Sequence, residues 1–203
     1  THDFAIFEAG ISQPGEMEHL GRIIGPTIGL ITNIGHAHDE HFRNAAQKAA
    51  EKIRLFEQAD VIIYSSDHVI VRDAIEASPS LAGIATFTWS RTSKADLQVT
   101  GVAKDTGGTS IAALYRQNEI AIRIPFTDDA SVENAIHCWA LMLYAGIAQT
   151  IIAERMPHLA PIALRLELKE AINNCSLIND IYNSDINSLG IAVDFLMQQN
   201  QHP

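Results

Sequence analysis

The sequence has few of the features that mark secreted, membrane-spanning or nucleic-acid-binding proteins. Its only cysteines, Cys138 and Cys175, form no metal-binding or redox spacing, and this cysteine usage fits a reducing cytoplasm. No apolar run approaches the roughly 20 residues of a membrane span, and the first residues lack the basic-then-apolar order of a signal peptide. The 24 acids and 14 bases give a formal charge of −10, which argues against a general nucleic-acid binder but leaves a nucleotide site open.

The remaining composition is that of a globular protein. Hydrophobic residues make up 47% of the 203 positions and charged residues 19%. This length suffices for one sizeable core, or for one domain and part of another. The chain enters an apolar run within three residues, without a starting methionine, and it closes directly after a helical pattern. We expect it to be a piece of a longer protein.

The first 65 residues alternate between strand and helix patterns. The apolar runs FAIFEAG, TIGLITNI and ADVIIYS predict three strands buried on both faces. Between them, SQPGEMEHLGRIIGP and RNAAQKAAEKIRLFEQ have helical periodicity. Strands that alternate with helices predict an α/β fold with a mostly parallel sheet flanked by helices.

The pattern changes in the second half of the chain. GIATFTW, DLQVTGVA, TSIAALY and EIAIRIPF predict strands, and only turns separate the last three, which indicates a small antiparallel portion. The TGG at 106–108 predicts a hairpin turn, because no Gly-Lys-Ser/Thr follows it. A helix then begins, with Asp129 or Ser131 as its predicted cap. Its predicted buried positions are Val132, Ile136, Leu141 and Leu143.

Prolines indicate a domain boundary near residue 160. PHLAPIA predicts a linker at 158–163, because proline breaks both helices and central strands. The central domain would then occupy residues 1–157. Residues 164–203 contain LRLELKEA, CSLINDIYN and INSLGIAVDFLMQQ, which predict the beginning of a second α/β unit.

Two groups of polar residues follow neighbouring predicted strands, where ligands bind in open parallel sheets. Glu8 ends the first strand, and ITNIGHAHDEHF carries three histidines out of the second. A carboxylate and a histidine at adjacent strand ends could hold a divalent cation. Taken alone, each histidine is better explained as a solvated loop residue, and a salt bridge or a helix cap explains Glu8 equally well.

A zinc hydrolase is a weaker alternative. His-x-His followed by acids occurs in zinc sites, but such a site needs further ligands from distant strands. No later segment has a comparable cluster. The remaining histidines considered as ligands stand singly in the sequence and read as surface or satisfied residues: His68, His137, His158 and His202.

FEAGISQPGEMEHLGRIIGPTIGLITNIGHAHDEHF closely resembles the central domain of the Mur ligases, the ATP-dependent amide-bond-forming enzymes of peptidoglycan synthesis. AAEKIRLF, SVENAIHCWA and LINDIYNSDINSL follow in the order of that family. NDIYNSD and GEMEHL are most similar to the branch that adds D-alanyl-D-alanine to UDP-N-acetylmuramoyl-tripeptide. The end of the chain is also similar to members of that branch that are fused to an alanine racemase.

The resemblance implies a magnesium site. Glu8 matches a glutamate that coordinates Mg²⁺ near the ATP phosphates, and His38 matches a ligand or positioner of a second Mg²⁺. Lys52 matches a lysine that is carbamylated in the family. Carbamylation replaces a cation with an anionic group whose oxygens suit Mg²⁺. Taken alone, Lys52 reads as a solvated helix residue.

The resemblance also implies contacts with ATP and the substrates. Asn134 matches an asparagine at the adenine, Arg165 an arginine at the phosphates, and Asp180 an acid at the ribose hydroxyls. Tyr182 and Asn183 lie in the family's segment near the incoming substrate. Read without the family, these residues are ordinary helix or surface positions.

The chain departs from the family pattern in three ways. The histidine that often precedes the adenine-binding asparagine is absent, and Ile181 replaces a common serine. The Gly-rich phosphate loop, which should precede Thr1, is not contained in the sequence. We therefore expect a fragment without ligase activity of its own, from a cytoplasmic ligase. The alternatives are a folylpolyglutamate-synthase-like ligase and a non-catalytic scaffold of the same fold.

Overall fold

The computed structural model describes residues 2–35, 39–160, 167–180 and 186–198. Within these ranges the strands are β1 (Ile28–Ile31), β2 (Val61–Ser65), β3 (Ala85–Ser90), β4 (Leu97–Asp105), β5 (Gly108–Tyr115), β6 (Asn118–Ile124), β7 (Glu167–Glu170) and β8 (Ser176–Asn179). The helices are α1 (Glu16–Ile24), α2 (Ala45–Ile53), α3 (Val69–Ala77), α4 (Asp129–Tyr144), α5 (Gln149–Arg155) and α6 (Ile186–Gln198). None of these helices is long and apolar enough to cross a membrane.

Six strands form one mixed sheet in the order β1-β2-β3-β4-β5-β6. The pairs from β1 to β4 are parallel, and the pairs from β4 to β6 are antiparallel. The predicted α/β fold, with helices beside a mostly parallel sheet and a small antiparallel portion, is therefore confirmed. A separate antiparallel pair, β7 and β8, precedes α6.

The interior strand β2 is covered by helices on both faces of the sheet. All five of its residues are buried, and successive side chains of a strand point to opposite faces. Val61 and Ile63 belong to the core beneath α4. Trp89 and Ile136 are part of the same core. Ile62 and Tyr64 join the opposite core, beneath α2 and α3. A strand covered on both faces needs the continuous apolar run that the sequence shows.

Two glycines of the sheet occupy positions where a side chain would not fit. A Cβ atom on Gly29 in β1 would lie 2.6 Å from the ring of Phe56, so the glycine lets that ring pack directly on the strand. Gly108 is the last residue of the predicted turn at 106–108; its φ is +138°, and its Cβ would lie 2.1 Å from the carbonyl oxygen of Ile124. The β4–β5 hairpin that contains this turn is as predicted.

Three local predictions were wrong, and one helix was missed. Residues 4–10 form no strand, and Phe4, Ile6 and Phe7 are 71%, 89% and 65% exposed. A strand buried on both faces needs a paired neighbour and cover above and below, and the described residues supply neither there. The helix α3 was not predicted. The cap of α4 is Asp128, whose carboxylate accepts the N–H of Ser131; Leu141 is only partly buried.

Candidate functional site

The carboxyl ends of β1, β2 and β3 meet at one edge of the sheet, because these strands are parallel. This is the edge at which open parallel sheets bind ligands. Residues 32–35 follow β1, and a short 3₁₀ turn at Asp39–His41 precedes α2. Asn44 caps α2 by accepting a hydrogen bond from the backbone N–H of Gln47. The chain that leaves β1 at Ile31 therefore reaches a well-defined helix at Ala45.

Lys48 of α2 points back to the exit from β1. Its side chain is only 2% exposed, and its Nζ donates to the carbonyl oxygen of Gly35 over 2.7 Å and to Oδ1 of Asp39 over 2.8 Å. A buried ammonium is stable only with such partners. Lys48 therefore connects Gly35 to Asp39. Sequence reasoning missed it, because a lysine in an alanine-rich helix reads as solvated; the one available signal was its four-residue spacing from Lys52.

Lys52 lies one helical turn after Lys48 and also reaches the residues that follow β1. Its Nζ is 3.5 Å from the carbonyl oxygen of Asn33, two residues before the acceptor of Lys48. Burial lowers the pKa of Lys52, and the positive charge of Lys48 lowers it further. A lower pKa increases the fraction of neutral amine, which is the form that reacts with CO₂.

Glu51 ties α2 to the loop that precedes α1. Its carboxylate is buried and accepts the backbone N–H of Gly15 over 2.6 Å. Glu16 shapes the same loop by accepting the backbone N–H groups of Ser12 and Gln13 over 2.6 and 2.9 Å. One face of α2 thus holds both the loop before α1 and the exit from β1.

The predicted site residues have different outcomes. Lys52 lies at the expected edge, and Asn134 is exposed on α4. Glu8 is exposed and forms no hydrogen bond or ion pair with any described residue. Asp180 directly follows β8 and is partly buried. Four predicted residues lie outside the described ranges: His38, Arg165, Tyr182 and Asn183.

A network around Asp67 closes the ends of β2 and β3. The carboxylate accepts hydrogen bonds from the hydroxyls of Ser90 and Thr92, both over 2.6 Å, and from the backbone N–H of Arg91 over 2.7 Å. Burial by itself would raise the pKa of Asp67, but these hydrogen bonds outweigh it, and the pKa is lowered. Asp67 is therefore a firmly ionised connector of the two loops.

His68 and His137, expected to stand singly, lie together. His68 donates from Nε2 to Oε1 of Glu133 over 2.9 Å; this bond raises the pKa of His68 and lowers that of Glu133. His137 is 1% exposed, and burial lowers its pKa to about 4. Its Nδ1 accepts the indole N–H of Trp89 over 3.0 Å. The four-residue spacing of Glu133 and His137 predicts that they share a face of the helix. No feature of the sequence predicted that His68 would lie beside them.

The residues near Lys52 fit magnesium only under one chemical condition. Mg²⁺ takes oxygen ligands, and a lysine ammonium repels it. A carbamate on Lys52 would supply oxygens beside the exit from β1, and the buried ammonium of Lys48 nearby would balance its charge. The depressed pKa of Lys52 is compatible with that modification. Glu8, the other carboxylate of the predicted site, forms no hydrogen bond or ion pair with this region among the described residues.

Known proteins are similar to this chain in sequence and in fold. The family model described as Mur ligase middle domain matches residues 1–142. The UDP-N-acetylmuramoyl-tripeptide–D-alanyl-D-alanine ligase of Bacillus subtilis is 28% identical over 194 residues, covering 94% of this chain and 40% of that ligase. The chain thus spans less than half of the length of such relatives.

Two solved structures share the fold. The MurF structure from Acinetobacter baumannii superposes with a TM-score of 0.85 at 22% identity, covering 98% of this chain and 43% of that one. The MurF ligase of Thermotoga maritima, solved in complex with ADP, gives a TM-score of 0.73 at 16% identity, covering 92% of this chain and 42% of that one. Because the family model matches more than half of its residues, the chain belongs to the Mur ligase family.

Proposed function

We propose that this chain is the nucleotide-binding portion of an ATP-dependent ligase that adds D-alanyl-D-alanine to UDP-N-acetylmuramoyl-tripeptide. The observation that best supports this is the position of Lys52. The residue singled out by resemblance to the family lies at the ligand-binding edge of the sheet, where burial and Lys48 favour its neutral amine. The similarity to a D-alanyl-D-alanine ligase along 94% of the chain supports the choice of substrates.

In this proposal the sites are divided between two parts of the chain. Residues 1–157 form the central domain, 158–163 the linker, and 164–203 the beginning of the C-terminal domain. Glu8, His38 and the carbamate of Lys52 would hold Mg²⁺, which would supply positive charge to the phosphate oxygens and the attacking carboxylate. Asn134 would contact adenine, and Arg165 and Asp180 would contact the phosphates and the ribose. Tyr182 and Asn183 would lie near the incoming substrate.

The reaction would proceed in two steps. A carboxylate oxygen of the tripeptide attacks the γ-phosphorus of ATP, the bond to the β-phosphate oxygen breaks, and ADP leaves. The amine of D-alanyl-D-alanine then attacks the acyl carbon and loses a proton, while inorganic phosphate departs. The first step brings two anions together, so positive charge placed at the site lowers its barrier.

A chimera tests this proposal without assuming where the natural protein begins or ends. The 203-residue chain replaces the aligned segment of the Bacillus subtilis ligase, which supplies the remaining parts. We expect phosphate release that requires ATP, UDP-N-acetylmuramoyl-tripeptide and D-alanyl-D-alanine together. Lys52→Arg should reduce the rate at least about tenfold, because arginine keeps the positive charge and does not form the carbamate.

Controls separate the proposal from its alternatives. His158→Gln changes an exposed histidine outside the proposed site and should leave the rate unchanged. Amide formation with a folate-type acceptor and glutamate, but not with D-alanyl-D-alanine, would favour the folylpolyglutamate-synthase-like alternative. A folded chimera that binds ATP and hydrolyses none with either substrate set would favour the scaffold.

A further inference from the structure

His68, Glu133 and His137 bring three metal-ligating side chains together outside the proposed magnesium site. One ligand atom from each lies within 4.8 Å of the others. Glu133 and His137 are four residues apart, so they lie on one face of α4, and His68 immediately precedes α3 at the carboxyl end of β2. We propose that these three side chains bind a transition-metal ion of the zinc class.

The chemistry of the donors favours zinc over magnesium. Two imidazoles and one carboxylate form a ligand set used by zinc, whereas magnesium prefers oxygen alone. Atoms around a tetrahedral zinc ion lie roughly 3.3 Å from one another when each is about 2.0–2.1 Å from the metal. His68 Nε2 and Glu133 Oε1 are already 2.9 Å apart. The atom of His137 lies within 4.8 Å of both, so the side chains would have to move closer together, and Nε2 of His68 would lose its proton on binding the metal.

A second observation points to a ligand here. Nε2 of His137 is buried and forms no hydrogen bond of normal geometry with a described residue, although the backbone of Thr32 lies close enough to act on the ring. The ring cannot turn freely, because it packs edge-on against Trp89 with the ring centres 4.9 Å apart. Buried polar nitrogens are usually paired. Coordination would give Nε2 a partner of good geometry, which none of the described residues supplies.

Metal binding at Nε2 of His137 would change the hydrogen bond that Trp89 donates to the same ring. An indole N–H can only donate, so its bond to Nδ1 leaves the proton of the neutral His137 ring on Nε2. Coordination through Nε2 moves that proton to Nδ1, where it faces the indole N–H, and the hydrogen bond breaks. Coordination by three protein ligands outweighs one hydrogen bond in free energy. The indole of Trp89 therefore reports on the metal.

The ion would join the end of β2 to α4. His68 and Glu133 keep 32% and 25% of their side chains exposed, so water can complete the coordination. Asp67 and Arg91 lie close enough to act on the charge of His68. Asn134 directly follows Glu133, but the site does not depend on the proposed nucleotide function, because none of its three donors has a role in that proposal.

Zinc titration of this chain tests the proposal. The other histidine cluster is first removed by combining His36→Gln, His38→Gln and His41→Gln. In that background we expect one equivalent of Zn²⁺ to bind, measured by calorimetry. His68→Gln and Glu133→Gln should each weaken binding at least about tenfold, whereas His158→Gln, at an exposed histidine, should not change it.

Nuclear magnetic resonance supplies a readout that general loss of structure would not mimic. The two tryptophans give two indole N–H signals, and Trp139 donates to Gln149 away from this site, so its signal is an internal reference. Zinc should shift the Trp89 signal and leave that of Trp139 in place. The proposal is overturned if neither signal moves, or if zinc binds His68→Gln and Glu133→Gln as tightly as the unsubstituted site.

Discussion

Trp89 and His137 form a buried hydrogen bond between β3 and α4, with the indole N–H donating to Nδ1 over 3.0 Å. The bond holds only while Nδ1 is unprotonated, because a protonated Nδ1 would face another donor. Burial lowers the pKa of His137 to about 4, and the positive charge of His68 acts in the same direction. The contact consequently makes stability dependent on pH.

We expect acid to weaken the fold through His137. In the unfolded chain histidine titrates near its ordinary value of 6.5, and in the folded protein near 4, so between these pH values the unfolded state binds more protons. The free energy of unfolding should fall by about 3 kcal/mol as the pH decreases from about 6.5 to 4. The raised pKa of His68 acts in the opposite direction.

Comparison with a variant isolates this effect. Urea unfolding is measured across that pH range for the natural chain and for His137→Gln, which lacks the titrating ring. The variant should lose about 3 kcal/mol of the pH dependence. An unchanged pH dependence would show that His137 is not the responsible group.

Lys48→Met should raise the pKa of Lys52 without restoring its ordinary value. The substitution removes the charge of Lys48, which is the second cause of the depression, and leaves burial, which is the first. Isotope-labelled lysine side chains allow the titration to be followed by nuclear magnetic resonance. Lys94→Met, which removes an exposed lysine from another loop, is the matched control and should have no effect. Equal shifts in both variants would contradict the interpretation.

Gly29→Ala should destabilise the protein by about 1–3 kcal/mol, because the added methyl group meets the buried ring of Phe56 at 2.6 Å. Thermal or urea unfolding measures the change. Adding Phe56→Leu should recover part of the loss, since the smaller side chain leaves room. Gly101→Ala is the control: its new Cβ would meet no atom closer than 4.0 Å, and its effect should be small.

Asp128→Ala should cost about 1 kcal/mol of stability through the loss of the cap of α4. Asp129→Ala is a matched control, because the neighbouring carboxylate forms only an exposed ion pair with Lys104. Its effect should stay below about 1 kcal/mol. If unfolding experiments found the larger loss at Asp129, the assignment of the cap would be wrong.

Local patterns predicted much of the fold because the spacing of apolar residues along a segment follows the period of the strand or helix that it forms. The apolar runs at β1 and β2, the alternation in β6 and the turn at 106–108 each reflect the environment of the segment itself. The error at residues 4–10 has a different origin. The same kind of apolar run predicts a buried strand only where other segments cover it, and that cover is not a property of the run.

In the candidate site, too, some residues were identified from the sequence and others only from the structure. Lys52 was found through its resemblance to a family motif, whereas Lys48 was not, because only its direction distinguishes a buried lysine from a solvated one. His68 and Glu133 are 65 residues apart. Their contact requires α4 to pack across β2, and no local signal carries that information.

The sequence by itself determined the α/β class, the family resemblance and the segments that supply the candidate residues, because periodicity and motifs are local properties. Tertiary structure decided which side chains meet: the two lysines of α2 at the exit from β1, and the two histidines with Glu133 beside Trp89. It also decided their protonation, since desolvation and neighbouring charges depend on packing between distant segments.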